Sequence, residues 1–365
     1  MANILSFVKK YGDKTFEEEP FNELDSLVIS LLPYIDFDGI VPEKAEDKIS
    51  IREAGNMFFN KYTARELKYQ IQGVRAAYDI LFEIKDTKRY SKLKLYNYVY
   101  KYDINMQFGA MFCDVSDKLT YIIFEGTDDT VSGWYEDFEM CYKFPNRSDE
   151  ESIKYINSKI RFTSKRKYIL SGHSKGGHLA MCAYMYLKFG KRSKVKKVIN
   201  YDGPGFIESE YKSSRYKRMK KKLELIVPNN DVIGRLHFIS DPTLVVLSIK
   251  KGIEAHNALT WEIREKQFIR SSLTKSSDRL KKSMDKWVAS MTPEERHVTT
   301  DDLFEVFNRC GITSLQEVKR SNLRRIIGIL QEANNIDNKT KDKLLALIKI
   351  IFEYTKEDFF SKKQL

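Results

Sequence analysis

Cysteine is scarce in this chain of 365 residues, and no two of its cysteines form a CxxC pair. The four lie far apart in the sequence: Cys113, Cys141, Cys182 and Cys310. This spacing argues against a tetrathiolate zinc site and against a disulfide framework. The residues therefore favour a reduced compartment.

Long apolar runs are also missing. The first ten residues lack the apolar segment of a signal peptide. The most apolar late stretch, 344–352, is interrupted by Lys349 and is shorter than the roughly 20 residues that a membrane span needs. We therefore expect a soluble, cytoplasmic protein, and secretion by an unusual route is the alternative.

Acidic residues are outnumbered, 51 against 63 basic ones, which gives a formal charge of +12. Such a surplus permits anionic partners without naming one. We find no P-loop, Rossmann glycine set or metal-ligand cluster, and so we expect no cofactor and no metal. Helix-turn-helix, zinc and RNA-binding signatures are absent as well, which makes nucleic acid an unlikely partner.

The remaining composition, 42% hydrophobic and 31% charged, predicts a folded chain with a sizeable core. Residues 1–90 show helical periodicity, and from Leu93 onward strand-like runs alternate with helical ones. This order predicts an α/β fold with a mixed, mostly parallel sheet flanked by helices. Residues 263–365 are rich in Lys, Arg, Glu and Leu. We predict a first domain over 1–262 and a helical C-terminal region over 263–365.

The most informative segment is Gly172-His173-Ser174-Lys175-Gly176, which fits G-x-S-x-G between a predicted strand and a predicted helix. In that setting the serine lies on a turn too tight for Cβ atoms at the flanking positions, and its hydroxyl projects above the carboxyl edge of the sheet. Ser174 is therefore a candidate nucleophile. A glycine-rich turn with a buried serine is the alternative.

A nucleophilic serine needs a base and an orienting acid, which follow such a turn in the order acid, then histidine. Four of the five histidines fit poorly, because of their position in the turn, in a helix, close to a candidate acid or in the tail: His173, His178, His237 and His297. His256 follows the last predicted strand after a short loop. We predict that His256 is the base.

Two aspartates compete for the role of the acid, because each follows a predicted strand. Asp231 ends the segment Leu223 to Asp231, and Asp202 ends the preceding strand in a Gly-Pro-Gly context that is typical of a turn. We favour Asp231, and Asp202 is the rival.

Backbone donors for an oxyanion are expected at two places. The N–H of Lys175 begins the helix after the serine, and Thr127, at the end of an earlier strand, offers an N–H and a hydroxyl. An ordinary turn is the alternative for Thr127. The Lys175 side chain opposes the helix dipole, and we expect it to be solvated or else to attract an anionic substrate group.

At this point the chain resembles a known group. The segments 122–128, Trp134 to Asp137 and 171–178 resemble class 3, fungal-type lipases, and are still more similar to their bacterial relatives, the Mbeg-like family. The resemblance covers about residues 1–262. It implies an α/β-hydrolase fold with Ser174, Asp231 and His256 as the triad, and with Thr127 and the Lys175 N–H as the oxyanion hole.

Two departures from the lipase pattern argue against a long-chain triacylglycerol substrate. Glu125 lies where lipases usually carry arginine, and Lys175 lies where they usually carry leucine. The family's substrates are largely undefined, so the resemblance predicts ester chemistry without naming the acyl chain.

Two basic stretches precede predicted strands: 191–197 carries five cations in seven residues, and 212–222 carries seven in eleven. A solvated helix face is the ordinary interpretation. Contact with an anionic membrane surface is the sharper one, and it makes a peripheral location possible. We predict a serine hydrolase of small-molecule or lipid esters; the alternative is a silent hydrolase-fold scaffold that binds a partner through its basic face and helical tail.

Overall fold

A mixed sheet of eight strands forms the centre of the protein. The structure is a computed structural model that describes residues 2–62, 72–103, 106–128, 131–312, 323–332 and 336–360. The strands are β1 (Ile49–Ser50), β2 (Lys94–Asp103), β3 (Met106–Asp114), β4 (Leu119–Phe124), β5 (Lys167–His173), β6 (Val195–Tyr201), β7 (Leu223–Pro228) and β8 (Leu244–Val246). They lie side by side in chain order; β1 to β4 pair antiparallel and β4 to β8 pair parallel. The predicted α/β class with a mixed sheet is confirmed.

Helices cover both faces of this sheet. In the described part of the chain they are α1 (Ile4–Tyr11), α2 (Glu23–Ser30), α3 (Ile51–Lys61), α4 (Gln72–Ile84), α5 (Val131–Glu139), α6 (Arg147–Lys159), α7 (Lys175–Met185), α8 (Glu208–Lys212), α9 (Ser214–Lys220), α10 (Lys275–Ala289), α11 (Pro293–Arg309), α12 (Leu323–Glu332) and α13 (Asn338–Phe360). Part of the predicted N-terminal helical stretch, 63–71, lies outside the described residues. No helix of the described residues combines the length and apolarity that a bilayer crossing needs.

The sequence of β4 explains why the sheet has a core on each side. It is an almost continuous run of apolar residues whose successive side chains point to opposite faces, so Tyr121 and Ile123 pack with the N-terminal helices while Ile122 and Phe124 pack with α6 and α7. The two cores therefore sandwich the sheet, and the carboxyl ends of β4 to β7 open toward one edge.

The C-terminal region begins with strands rather than helices. A short hairpin, β9 (Ile263–Arg264) and β10 (Gln267–Phe268), packs its Ile263 and Phe268 into the N-terminal core, and the helices start at Lys275. These helices have a core of their own, which also takes in Trp134, Tyr135 and Phe138 of α5. The division into two domains at residue 262 stays a prediction.

Candidate functional site

Ser174 lies on the turn between β5 and α7, and its backbone is strained, with φ at +57° and ψ at −134°. Only glycine fits at the positions two residues before and two residues after it. A Cβ on Gly172 would lie 2.3 Å from the carbonyl carbon of Gly176, and a Cβ on Gly176 would lie 2.2 Å from the Phe124 oxygen. The Ser174 N–H donates to the Tyr201 carbonyl at 2.9 Å. The local geometry is therefore that of a nucleophile elbow.

His256 comes to this turn from a 3-10 turn, Gly252–His256, that follows β8. Its Nδ1 lies 2.7 Å from Asp202 Oδ2, and its ring centroid lies 4.5 Å from that of His173, the neighbour of Ser174. Burial lowers the pKa of His256 to about 4, against the charge of Asp231, which raises it. The imidazole is therefore neutral at pH 7, as a general base must be.

The hydrogen bond that the sequence analysis assigns to Asp231 is made by Asp202 instead. Asp202 ends β6, which is the strand next to β5, and this position puts its carboxyl under the imidazole. Asp231 is engaged elsewhere: its Oδ1 accepts the Gly234 N–H at 2.7 Å, and its Oδ2 accepts Arg235 Nε at 2.9 Å. This contact favours Asp202 over Asp231 as the orienting acid, which differs from the preference drawn from the sequence.

Asp231 nevertheless lies directly behind Asp202, within hydrogen-bonding contact of its carboxyl. Both are almost fully buried, and Asp202 Oδ1 has no hydrogen-bond donor among the described residues. Burial raises the pKa of Asp202 to about 7, and burial together with Asp202 raises that of Asp231. Two buried carboxyl groups in contact do not both ionise easily, because their negative charges repel each other in a poorly solvated site.

A chain of hydrogen bonds through His173 joins the base to the N-terminal layer. Its Nε2–H donates to the His256 carbonyl at 2.8 Å, and its Nδ1 accepts the Tyr34 hydroxyl at 2.8 Å. These two contacts specify the tautomer, and burial followed by the nearby His256 lowers the pKa of His173. His173 therefore positions the His256 loop as a neutral link.

The two predicted oxyanion donors flank the elbow. The Lys175 N–H is the first of α7 and has no carbonyl partner within the helix. Thr127 follows Gly126, whose Cα is so close to the elbow that a Cβ there would lie 2.6 Å from the His173 oxygen. The Thr127 hydroxyl donates to Asp137 at 2.9 Å, so only its N–H is left to face a substrate. This differs from the expectation that both groups are offered.

The Lys175 side chain is neither solvated nor open to a substrate. Its Nζ is buried and donates to Glu136 Oε2 at 2.8 Å and to the Gln107 carbonyl at 2.9 Å. Burial lowers the pKa of Lys175, but the carboxylates of Glu136 and Asp137 outweigh it and keep the pKa above its ordinary value. The lysine therefore connects α5 to the elbow. The sequence does not show this role, because Glu136 on α5 is distant in the chain.

Glu125, the second departure from the lipase pattern, is buried beside this pair. Gln107 Nε2 donates to its Oε1 at 3.0 Å, and its Oε2 has no donor in the described residues. Burial raises the pKa of Glu125 well above its usual range.

His178, on the next turn of α7, is a buried structural group. Its Nε2 donates to Asp149 Oδ1 at 3.0 Å and its Nδ1 donates to the Gly205 carbonyl at 2.9 Å. Burial lowers the pKa of His178, and Asp149 more than compensates and raises it. A histidine with two acceptors is protonated, so it pairs with Asp149 and is not a second base. Among the described residues no group of three or more His, Cys, Asp or Glu side chains is arranged to hold a metal.

Comparison with known proteins places the chain in a family. No curated protein matches it. Among solved structures it is similar to the crystal structure of M37 lipase, at 14% identity and a TM-score of 0.34, over 57% of this chain and 68% of that one. That likeness is too distant to support an argument about the site. The model of one family matches residues 84–305, which is more than half of the chain and extends past residue 262. The chain belongs to the Mbeg1-like family.

Proposed function

We propose that the chain is a serine hydrolase that cleaves carboxylic esters, with lipid or other acyl esters as its substrates. The observation that carries this proposal is the 2.7 Å hydrogen bond between His256 Nδ1 and the buried Asp202, next to a serine held at positive φ. Backbone strain of this kind is concentrated at functional sites, and the glycines around Ser174 permit it.

In the proposed reaction Ser174 Oγ attacks the ester carbonyl carbon while His256 Nε2 takes the hydroxyl proton. The Nδ1–H of His256 donates to Asp202, so Nε2 carries the free lone pair. The tetrahedral intermediate collapses, and the leaving alcohol receives the proton from Nε2. Water, deprotonated by His256, then hydrolyses the acyl-enzyme and restores the serine. No cofactor takes part in these steps.

No hydrogen bond among the described residues joins Ser174 Oγ to the imidazole. The hydrogen bond between a nucleophile and its base often forms fully only when substrate is bound. In the free protein the contact of the His256 ring with His173, the residue before Ser174, holds the base near the serine. The N–H groups of Lys175 and Thr127 are proposed to stabilise the oxyanion.

Asp202 is the proposed acid, and Asp231 supports it from behind. A proton held between the two carboxyls supplies the donor that Asp202 Oδ1 lacks and leaves one negative charge on the pair, and Arg235 donates to the Asp231 side of it. We therefore propose Asp231 as a positioning residue for Asp202 rather than as the direct partner of His256.

The buried Lys175 bears on the substrate. Because its ammonium is bonded to Glu136, it has no free charge with which to hold a phosphate or a carboxylate. The site therefore favours an ester that is uncharged near the scissile bond. The acyl chain stays unspecified.

Fluorophosphonate labelling of the purified protein, followed by intact mass, tests the proposal. We expect one adduct on the wild type and none on Ser174→Ala. Ser171→Ala is the matched control, because Ser171 lies on the same strand three residues earlier and bonds Ser30 at 2.8 Å. It should label like the wild type.

Failure to label a folded wild type would contradict the proposal. The hydrolase-fold scaffold would then be the better description, and the search would move to a binding partner. Labelling of Ser174→Ala would contradict the assignment of the nucleophile and leave a different reactive residue to be located by peptide mass.

A further inference from the structure

One end of the molecule is rich in cations, and acidic side chains compensate only some of them: Arg166 pairs with Asp114 and Lys197 pairs with Glu224. The fifty residues 152–201 contain thirteen Lys and Arg and not one Asp or Glu. The fold gathers most of these cations at the amino ends of β5 and β6, in the loops that enter these strands. This is the end of the sheet opposite the serine elbow, because β4 to β8 run parallel.

Two phenylalanines project from the same loops into solvent. Phe189 is 93% exposed and Phe162 is 65% exposed, more than any other large hydrophobic side chain of the described residues. Their loops meet, since a Cβ on Gly190, the residue after Phe189, would lie 2.9 Å from the Phe162 ring. We call this the basic–aromatic face; it comprises Arg161, Phe162, Lys165, Lys167, Lys188, Phe189, Lys191, Arg192 and Lys194.

Four of the seven cations of this face donate to neutral groups. Three lysine ammonium groups and one guanidinium donate to backbone carbonyls, which leaves their charge uncompensated: Lys167 to Ser193 at 3.1 Å, Lys191 to Asn157 at 2.6 Å, Lys194 to Ser164 at 2.7 Å and Arg192 to Leu187 at 2.6 Å. The cations also crowd one another. Burial and then Arg218 lower the pKa of Arg192, and burial and then Lys167 lower that of Lys222.

We propose that the basic–aromatic face docks on an anionic membrane surface, with the rings of Phe162 and Phe189 inserted among the headgroups and the surrounding cations facing the lipid phosphates. Charge complementarity selects an anionic partner, and exposed rings on loop tips select one with an apolar interior. A nucleic acid would instead be expected to use a groove in which bases stack against the walls. Solvent-facing loop tips do not form such walls.

The position of the face has a consequence for the candidate site. Docking at the amino ends of the strands turns the elbow of Ser174 away from the bilayer. The face therefore tethers the protein, and it does not open a lid over the site. Docking is independent of the proposed ester chemistry, so one can fail without the other.

Vesicle co-sedimentation of the full chain tests the inference. Vesicles of phosphatidylcholine alone are compared with vesicles that also contain 30% phosphatidylserine or phosphatidylglycerol. We expect binding to both anionic compositions and little to the neutral one, with a steep decrease in binding as salt is raised. Ser174→Ala should bind as well as the wild type.

Substitutions separate the two components of the face. The double variant Phe162→Ser, Phe189→Ser keeps the net charge, and we expect its partition coefficient to fall by about tenfold or more. The triple variant Lys188→Gln, Lys191→Gln, Lys194→Gln should fall similarly and lose its salt dependence. Phe82→Ser is the matched control, because Phe82 is 60% exposed on a different part of the surface. It should bind normally, and fluorophosphonate labelling with thermal melting checks that each variant is folded.

Three outcomes would overturn the inference: no sedimentation with anionic vesicles, equal sedimentation with neutral ones, or binding that the phenylalanine variant leaves unchanged. Competition with single-stranded RNA provides a further test. If RNA bound more tightly than vesicles and displaced them, the face would be a nucleic-acid surface and the membrane assignment would be wrong.

Discussion

The two ends of the parallel strands differ in how their charged groups are buried and paired. At the carboxyl end several buried ionisable groups are paired with a group of opposite charge: Lys175 with Glu136, His178 with Asp149, and Asp231 with Arg235. At the amino end Arg166 and Lys197 pair with carboxylates, whereas Lys191 and Lys194 donate to backbone carbonyls, and two phenylalanines project into solvent. The sheet thus has one end where charged groups are buried in pairs and another where cations outnumber acids and are exposed.

The physical reason lies in solvation. An unpaired charge is costly inside a protein, so the carboxyl end must supply a partner for every ion that it buries. At the surface, water stabilises unpaired cations, and their field reaches outward to an anionic partner. The comparison predicts that substitutions at the carboxyl end change chemistry or stability, and that substitutions at the amino end change binding alone.

The largest expected effect would come from His256. His256→Ala should lower kcat/KM for a soluble ester by roughly 10⁴–10⁶, because the serine then has no base. The double variant with Ser174→Ala should lose no more, since the two act as one unit. Ester-hydrolysis assays at known protein concentration measure kcat/KM for each variant. A variant that keeps most of its activity would remove His256 from the proposed mechanism.

The next effect ranks the two aspartates. Asp202→Asn should lower kcat by a factor of about 10³–10⁴, because the imidazole loses its charged acceptor. Asp231→Asn should lower kcat only about tenfold. The kinetics and pH profile of the two variants, measured side by side, decide the order. The reverse order would make Asp231 the direct acid, as the sequence and the family resemblance imply.

The third prediction concerns the balance of charge at the carboxyl end. Lys175→Met should destabilise the fold by about 3–5 kcal/mol, because it leaves the buried Glu136 unpaired. The double variant with Glu136→Gln should regain much of that loss. Urea unfolding measures both. Equal stability of the single variant and the wild type would show that water reaches Glu136, against the burial described above.

The smallest effect is a pH dependence at His178. Its pKa is raised in the folded state, so its stabilisation is fully present below about 6.5 and is lost as pH rises through the folded pKa. His178→Gln should therefore lower the free energy of unfolding more at pH 6 than at pH 9. The difference is about 1.4 kcal/mol for each unit by which the pKa is raised. Urea unfolding at the two pH values checks this. His297→Gln is the control, since His297 is exposed, and a pH-independent cost at His178 would argue for a neutral imidazole.

Much of the fold was open to prediction because its signals are local. The dense β-branched and aromatic run at 119–124, the glycines around Ser174 and the loop position of His256 are each visible in short stretches of sequence. The mixed α/β sheet and the family are confirmed. The hairpin at 263–268 was missed, since its two-residue strands give no periodicity.

The partners of the site residues were less accessible. Asp202 and Asp231 each follow a strand, and nothing in the sequence says which carboxyl lies nearer the imidazole. The sequence predicts a solvated or substrate-facing Lys175, because its partner Glu136 is 39 residues away. It also predicts a free Thr127 hydroxyl, but in the structure that hydroxyl donates to Asp137.

The sequence by itself determined the elbow, the order of the candidate chemical groups and the acid-free stretch 152–201. Only the tertiary structure decided which carboxyl faces His256, that Lys175 is buried and paired, and that Phe162 and Phe189 project together from the basic end. The reason is physical. Steric and periodic constraints act between residues close in the chain, whereas the pairing and burial of charges depend on atoms that only the folded sheet brings into contact.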